Sequence, residues 1–166
     1  MHQAVLIAVT GIAAFVLAGC GASTKEPTSR QVSVHVGALT VAVPRGLRRT
    51  EIRSHGQLVG ALVTDYAVTP GSPTLREGAF PTNGVALLVG RGALRALPGL
   101  RVPQLHLPLA LGELRGPQHH ANGTAWNGVL AFHGSAYTIS FWVGRTAPPH
   151  DRADLATALR SIRHTR

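Results

Sequence analysis

Residues 124–144 read TAWNGVLAFHGSAYTISFWVG, and this stretch decides the fold. Two runs rich in aromatic and β-branched residues flank Gly134-Ser135, and a two-residue connection that begins with glycine is typical of a β-hairpin. This turn predicts four cross-strand pairs on one face: Phe132 with Tyr137, Leu130 with Ile139, Gly128 with Phe141, and Trp126 with Val143. The opposite face mixes apolar and polar residues, so we expect it to meet solvent or a partner.

A second hairpin is predicted upstream, over residues 32–43 (VSVHVGALTVAV). Apolar residues alternate on both sides of Gly37-Ala38, and a turn at this dipeptide predicts the pairs Val36 with Leu39, Val34 with Val41, and Val32 with Val43. Pro44 has no N–H to donate, so it ends the second strand or lies at an edge.

The middle of the chain is predicted to hold further strands and a long loop. Residues 57–68 carry apolar side chains at both odd and even positions, which favours a central strand. Residues 85–89 predict a short strand. Residues 69–83 contain three prolines, and a loop of this length suggests a role in binding. Residues 92–98 predict one or two helical turns that end at Pro98.

The C-terminal segment is predicted to be a helix. Asp151 is the expected N-cap, with Asp154 three residues later. The expected apolar stripe is Leu155, Ala158, Leu159 and Ile162, with Arg152, Arg160, Arg163 and Arg166 facing outward. The sequence therefore predicts an α+β fold, in which an antiparallel sheet of hairpins carries the C-terminal helix on one face. Residues 31–166 form this single globular domain.

The N-terminus carries an export signal. Residues 4–18 form an uncharged apolar run of about fifteen residues, shorter than the ~20 that span a bilayer. The tetrapeptide Leu17-Ala18-Gly19-Cys20 follows, and it closely resembles the lipobox of bacterial lipoproteins. The resemblance implies that residues 1–19 are a signal peptide, that a diacylglycerol is attached to the Cys20 thiol, and that cleavage occurs before Cys20. Residues 20–30 are small and polar, which predicts a flexible tether to a membrane-anchored, extracytoplasmic domain.

The chain is strongly basic. Sixteen Lys and Arg against seven Asp and Glu give a net charge of +9, and fifteen of the sixteen are Arg. The densest group is Arg45, Arg48, Arg49 and Arg53, with Glu51 between them, and Arg91, Arg95 and Arg101 form a second. Either these residues contact anionic lipids or wall polymers, or arginine replaces lysine on a solvated surface through coding bias. Nucleic acid is not an expected partner of an exported domain.

No catalytic set or cofactor is expected. Cys20 is the single cysteine, so no disulfide or cysteine cluster forms within the chain. The acids outside the tether and the helix cap are Glu51, Asp65, Glu77 and Glu113, which share no motif, and no Gly-x-Ser-x-Gly elbow is present. His119 and His120, in an expected Gly/Pro/Asn loop, could meet His133 at a metal, but no zinc-site spacing accompanies them. We therefore expect no metal.

The order of elements is loosely similar to the Mog1/PsbP-like domains of actinobacterial envelope lipoproteins. The similarity is in the opening GALTVAVPRG at residues 37–46, the later aromatic hairpin and the closing helix with Arg160-Ser161-Ile162. It implies a binding or accessory module without a shared catalytic set. We therefore expect a non-catalytic envelope lipoprotein that binds a partner through its sheet face or the 69–83 loop. The alternative is a small envelope hydrolase with unidentified catalytic residues, which carboxylates clustered with histidine in one pocket would favour.

Overall fold

The structure is a computed structural model that describes residues 32–68, 80–92, 105–132 and 135–165. Of the described residues, 55% lie in strands and 14% in helices. The strands are β1 (Val32–Val36), β2 (Leu39–Val43), β3 (Arg48–Ser54), β4 (Gln57–Thr64), β5 (Val85–Arg91), β6 (Arg115–His120), β7 (Gly123–Phe132), β8 (Ser135–Gly144) and β9 (Arg163–His164). The helices are a 3-10 turn (Leu111–Glu113) and α1 (Pro149–Arg160).

The predicted α+β class is wrong, because the described part of the chain is mostly β and contains two antiparallel sheets. A six-stranded sheet has the order β3-β4-β5-β8-β7-β6, and a three-stranded sheet has the order β1-β2-β9. The edge strands β3 (RRTEIRS) and β6 (RGPQHH) are largely exposed. They therefore lack the apolar alternation by which the other strands were predicted.

The first hairpin is confirmed in register. Val32 pairs with Val43, Val34 with Val41, and Val36 with Leu39, and β2 ends just before Pro44. Gly37 has φ +57°, a conformation that glycine adopts without steric penalty. A side chain there would also meet the Tyr137 hydroxyl, which accepts a hydrogen bond from the Ala38 N–H at 2.9 Å. The turn therefore ties the small sheet to the large one.

The second hairpin is wrong in register by two residues. Phe132 pairs with Ser135, Leu130 with Tyr137, Gly128 with Ile139, Trp126 with Phe141, and Thr124 with Val143. The predicted turn at Gly134-Ser135 is thereby contradicted, and the connecting residues 133 and 134 lie outside the described residues. Because side chains alternate with a period of two, this shift leaves each one on its predicted face.

The small sheet and α1 pack on one face of the six-stranded sheet. Strand β1 contacts β4 and β5, and α1 contacts β5 and β2. The core between these layers includes Val36 and Leu39 of the first hairpin, Tyr137 and Ile139 of β8, and Leu155 of α1, each at most 1% exposed. We call this side of the six-stranded sheet the inner face and the opposite side the outer face.

The helix begins three residues earlier than predicted. Pro148 is its N-cap and Pro149 its first residue, so Asp151 lies within the first turn and is not the cap. Proline suits the first helical position because its missing N–H would have no partner there. Leu155, Ala158 and Leu159 are buried, as the predicted stripe requires. The helix ends at Arg160, so Ile162 is buried beyond it and Arg163 lies in β9, which corrects the predicted helical positions of both residues.

Strand β4 lies in the interior of the large sheet, as predicted for residues 57–68, but it ends at Thr64. The short strand predicted at 85–89 is β5, which extends to Arg91. Residues 69–79 of the predicted loop lie outside the described residues. Of the helical turns predicted at 92–98, only Gly92 is described.

Candidate functional site

The outer face carries a second apolar cluster, centred on Leu62, Ala86 and Trp142. These residues project outward from β4, β5 and β8. The alternate residues of the same strands fill the core on the inner face. Ile52, Val68, Phe80, Leu88 and Ala125 pack against the cluster and are partly buried. Strands with two apolar faces thus supply both the core and this outer surface.

A cavity of about 180 Å³ lies on this outer face, and we call it the outer groove. Its lining changes in character across the sheet. Strands β4 and β5 contribute Leu62, Ala86 and Leu88, whereas β6 and β7 contribute polar residues. Those polar residues are Gln118, His120 and Asn127. The groove therefore offers apolar contacts at one end and hydrogen-bonding groups at the other.

Trp142 lies between these two ends and is 5% exposed. Its indole stacks on Phe80, with ring centroids 4.9 Å apart and an interplanar angle of 22°, and lies 5.5 Å from the His120 ring. The indole also lies over Gly123, where a Cβ would come within 2.8 Å of the Trp142 Cζ2. Asn122 Nδ2 donates to the Phe80 carbonyl at 3.4 Å, which holds Phe80 near the tryptophan.

The Trp142 Nε1 is buried and has no hydrogen-bond partner among the described residues. Burying an unpaired N–H costs about 1–3 kcal/mol, so this donor is poised for an acceptor. Asn127 Nδ2 donates to Gln118 Oε1 at 3.4 Å, which orients the polar end of the groove.

The four arginines predicted as anionic-surface contacts reach one edge of the large sheet but do not share a face. Arg48, Arg49 and Arg53 lie on edge strand β3, and Arg45 precedes it in a turn. Arg49 pairs with Val63 of the inner-face core, whereas Arg48 projects from the opposite face, with Ile52.

Two of these guanidinium groups have partners. Arg49 Nη1 donates to the Ser33 carbonyl at 3.0 Å, and Arg53 forms an ion pair with Glu51 at 2.8 Å. In the second group, Arg91 Nη2 lies 3.4 Å from Ser135 Oγ, and Arg95 and Arg101 lie outside the described residues. The structure brings the first group together along a strand and divides it between two faces.

His119 and His120 lie on strand β6 and not in a loop, because β6 pairs with β7 up to the turn at Asn122. Adjacent residues of a strand point to opposite faces. His119 Nδ1 lies 3.3 Å from Thr124 Oγ1, whereas His120 contacts Trp142 on the outer face. His133 lies outside the described residues. Within the described ranges, no group of three His, Cys, Asp or Glu side chains could hold a metal.

Of the acids Glu51, Asp65, Glu77 and Glu113, the three that the structure describes all have partners within the protein. Asp65 Oδ1 accepts the Val85 N–H and Glu113 Oε2 accepts the Ala110 N–H, both at 2.8 Å, while Glu51 pairs with Arg53. Glu77 lies outside the described residues. Burial, with a smaller contribution from the Asp65 charge, raises the pKa of Tyr66 well above its usual range. Among the described residues that line the outer groove there is no carboxylate.

No family model, curated protein or solved structure matches this chain. Among the described residues, no helix has the length and apolar character needed to span a membrane. The sequence does not predict the outer groove, because β6, which supplies its polar end, has no apolar alternation and His119-His120 was expected in a loop. Its apolar end could have been predicted, because residues 57–64 and 85–91 carry apolar side chains at both odd and even positions.

Proposed function

We propose that the chain is a bacterial envelope lipoprotein, anchored by a lipid on Cys20, whose domain is a non-catalytic binding module. The outer groove is its ligand site, and the ligand is a small molecule with an apolar ring or short chain and a polar group. The observation that carries the binding proposal is the groove itself, with apolar side chains at β4 and β5 and polar ones at β6 and β7.

The membrane anchor is supported by the sequence of the leader. Only a cysteine provides a thiol for acylation at position 20, and the small residues Ala18 and Gly19 leave the preceding backbone accessible to a peptidase. Two acyl chains, at about 0.8 kcal/mol per buried CH₂, give lasting attachment, whereas one chain is only marginal. The loose similarity to Mog1/PsbP-like lipoprotein domains agrees with a binding or accessory role.

The size of the groove limits the ligand. An engineered apolar cavity of about 150 Å³ holds a benzene molecule, so about 180 Å³ suits one ring or a few methylene groups. Larger ligands would have to extend beyond the groove onto the sheet. Glu51, Asp65 and Glu113 hold main-chain or ion-pair partners, which supports a binding role over hydrolysis.

Phenol is a suitable probe, because its ring fits the apolar end and its hydroxyl can reach the polar end. The chain has two tryptophans, so its NMR spectrum contains two indole N–H signals. We expect phenol to shift the signal of Trp142. Ala125→Leu places a larger side chain in the groove and should abolish the shift.

Ala131→Leu is the matched control. Ala131 lies on the same strand and face as Ala125 but is exposed and does not line the groove. It should leave the phenol shift intact. Phenol that fails to shift Trp142, or that shifts it equally in both variants, would refute the groove as the ligand site.

A further inference from the structure

A second cavity, of about 330 Å³, lies mainly at the inner face, where β6 and β8 end and β7 and α1 begin. Thr124 pairs with His119 on one side and Val143 on the other, which places all three side chains on this face. Trp126 adds an aromatic wall, and Arg145 and Arg152 also line the cavity. The remaining lining residues are His120, Gly123 and Gly144. We call it the basic cavity.

The two arginines bring positive charge that no acid among the described lining residues balances. Arg152 Nε donates to the Ala147 carbonyl at 2.9 Å and Nη2 to the Arg145 carbonyl at 3.3 Å, so neutral acceptors fix its guanidinium. The Arg145 guanidinium has no hydrogen bond or ion pair among the described residues. Asp151, beside Arg152 in sequence, contacts His150.

The remaining polar groups suit an oxyanion. The Thr124 hydroxyl and the His119 ring, 3.3 Å apart, both line the cavity and can donate hydrogen bonds. Guanidinium groups bind phosphate oxygens in charge-assisted hydrogen bonds, often in pairs. A phosphate group can use two arginines and a hydroxyl together, whereas a carboxylate has only two oxygens.

We propose that the basic cavity binds a phosphate monoester through Arg145 and Arg152, with Thr124 and His119 as further donors. Its volume leaves room beside the phosphate for a small substituent such as glycerol. The ester could be a soluble metabolite or the headgroup of phosphatidic acid, whose phosphate is a monoester. The basic cavity and the outer groove share only His120 in their linings, and none of the four proposed donors lines the outer groove. The two proposals can therefore be tested separately.

The test is a titration of the full chain in a nonionic detergent with glycerol 1-phosphate, followed by the two indole N–H signals. We expect the Trp126 signal to move and the Trp142 signal to stay, because only Trp126 lines the basic cavity. Glycerol and sodium chloride at matched ionic strength should move neither.

Arg145→Gln is the decisive variant, because the structural bonds of Arg145 are made by its main-chain N–H and carbonyl. Removing this charged donor should weaken phosphate-ester binding by about tenfold or more. Arg160→Gln is the matched control: Arg160 is an exposed arginine of α1 that bonds to Thr157 and does not line the cavity. Its affinity should equal that of the wild type.

Dihexanoyl phosphatidic acid, compared with glycerol 1-phosphate, distinguishes the two sources of the ester. Inorganic phosphate is titrated beside them as the phosphate without a substituent. Tighter binding of the short-chain lipid than of glycerol 1-phosphate would assign a headgroup, and the reverse would assign a soluble ester; either result supports the site. A Trp126 signal that does not respond to any of these phosphates would overturn the proposal. So would equal affinity of Arg145→Gln and the wild type.

Discussion

Two glycines with positive φ allow the steric demand at the Tyr137 hydroxyl to be measured. Gly56 has φ +77° with open space around it, whereas Gly37, at φ +57°, would place a Cβ 2.7 Å from Tyr137 Oη. Gly56→Ala should lower the free energy of unfolding by about 1–2 kcal/mol, for the backbone conformation alone. Gly37→Ala should lose about 1–3 kcal/mol more through overpacking. Urea unfolding measures both, and equal losses would contradict the packing described at Tyr137.

The two tyrosines of the chain differ in whether their hydroxyls are paired. Tyr66 Oη is buried with no partner among the described residues, whereas Tyr137 Oη accepts the Ala38 N–H. We expect Tyr66→Phe to leave the stability unchanged or raise it, and Tyr137→Phe to lower it by about 0.5–1.5 kcal/mol. The reverse order in urea unfolding would show that the Tyr66 hydroxyl has a partner.

The alkaline pH dependence tests the same residue. Because its pKa is raised in the folded state, Tyr66 keeps its proton there while the unfolded chain loses it near the ordinary pKa of about 10. The stability from this linkage is complete below pH ~10 and is lost as the pH rises further. Tyr66→Phe should therefore flatten the loss of stability above pH ~10. An unchanged slope would contradict the burial of this hydroxyl.

The strands that could be predicted from sequence are those with apolar alternation or two apolar faces. Strands β1 and β2 were predicted in register because Gly37 fixes their turn. Strand β3 was missed because its residues are mostly charged and its turn uses His55, a non-glycine residue at φ +49°. Strand β6 was missed because Gly116 and Pro117 lie within it. Because β6 was not predicted, the polar end of the outer groove was not predicted either; no local sequence pattern indicates it.

The register of the β7–β8 hairpin could not be read from its apolar pattern, since a shift of two residues keeps every face. Ala131 pairs with Ala136 in the structure, whereas the turn at Gly134-Ser135 would pair it with Thr138. In a Cys20→Ser background, A131C/A136C should therefore form a disulfide readily under oxidising conditions, and A131C/T138C should not. Directly opposed Cβ atoms are about 4.5–5.5 Å apart, and diagonal ones about 7–8 Å. Preferential crosslinking of the second pair in a thiol titration would support the sequence-based register.

At the scale of the whole molecule, the question is whether the net charge of +9 serves to bind an anionic membrane surface. If the arginines of β3 contact anionic lipid, a chain beginning at residue 31 should bind anionic vesicles, and binding should fall as salt screens exposed charges beyond about 8 Å. Replacing Arg45, Arg48, Arg49 and Arg53 together by Gln should weaken binding and change the melting temperature little. Equal binding to neutral and anionic vesicles, or an unaffected quadruple variant, would favour coding bias.

The central claim is that this two-sheet domain is held at a membrane by a lipid on Cys20. Mass spectrometry of the N-terminal peptide of the native protein, purified from its own membranes, tests it most directly. We predict a peptide that begins at Cys20, lacks residues 1–19 and carries the added mass of a diacylglycerol. Recovery of an intact Met1 terminus, with an unmodified Cys20 thiol, would contradict the claim.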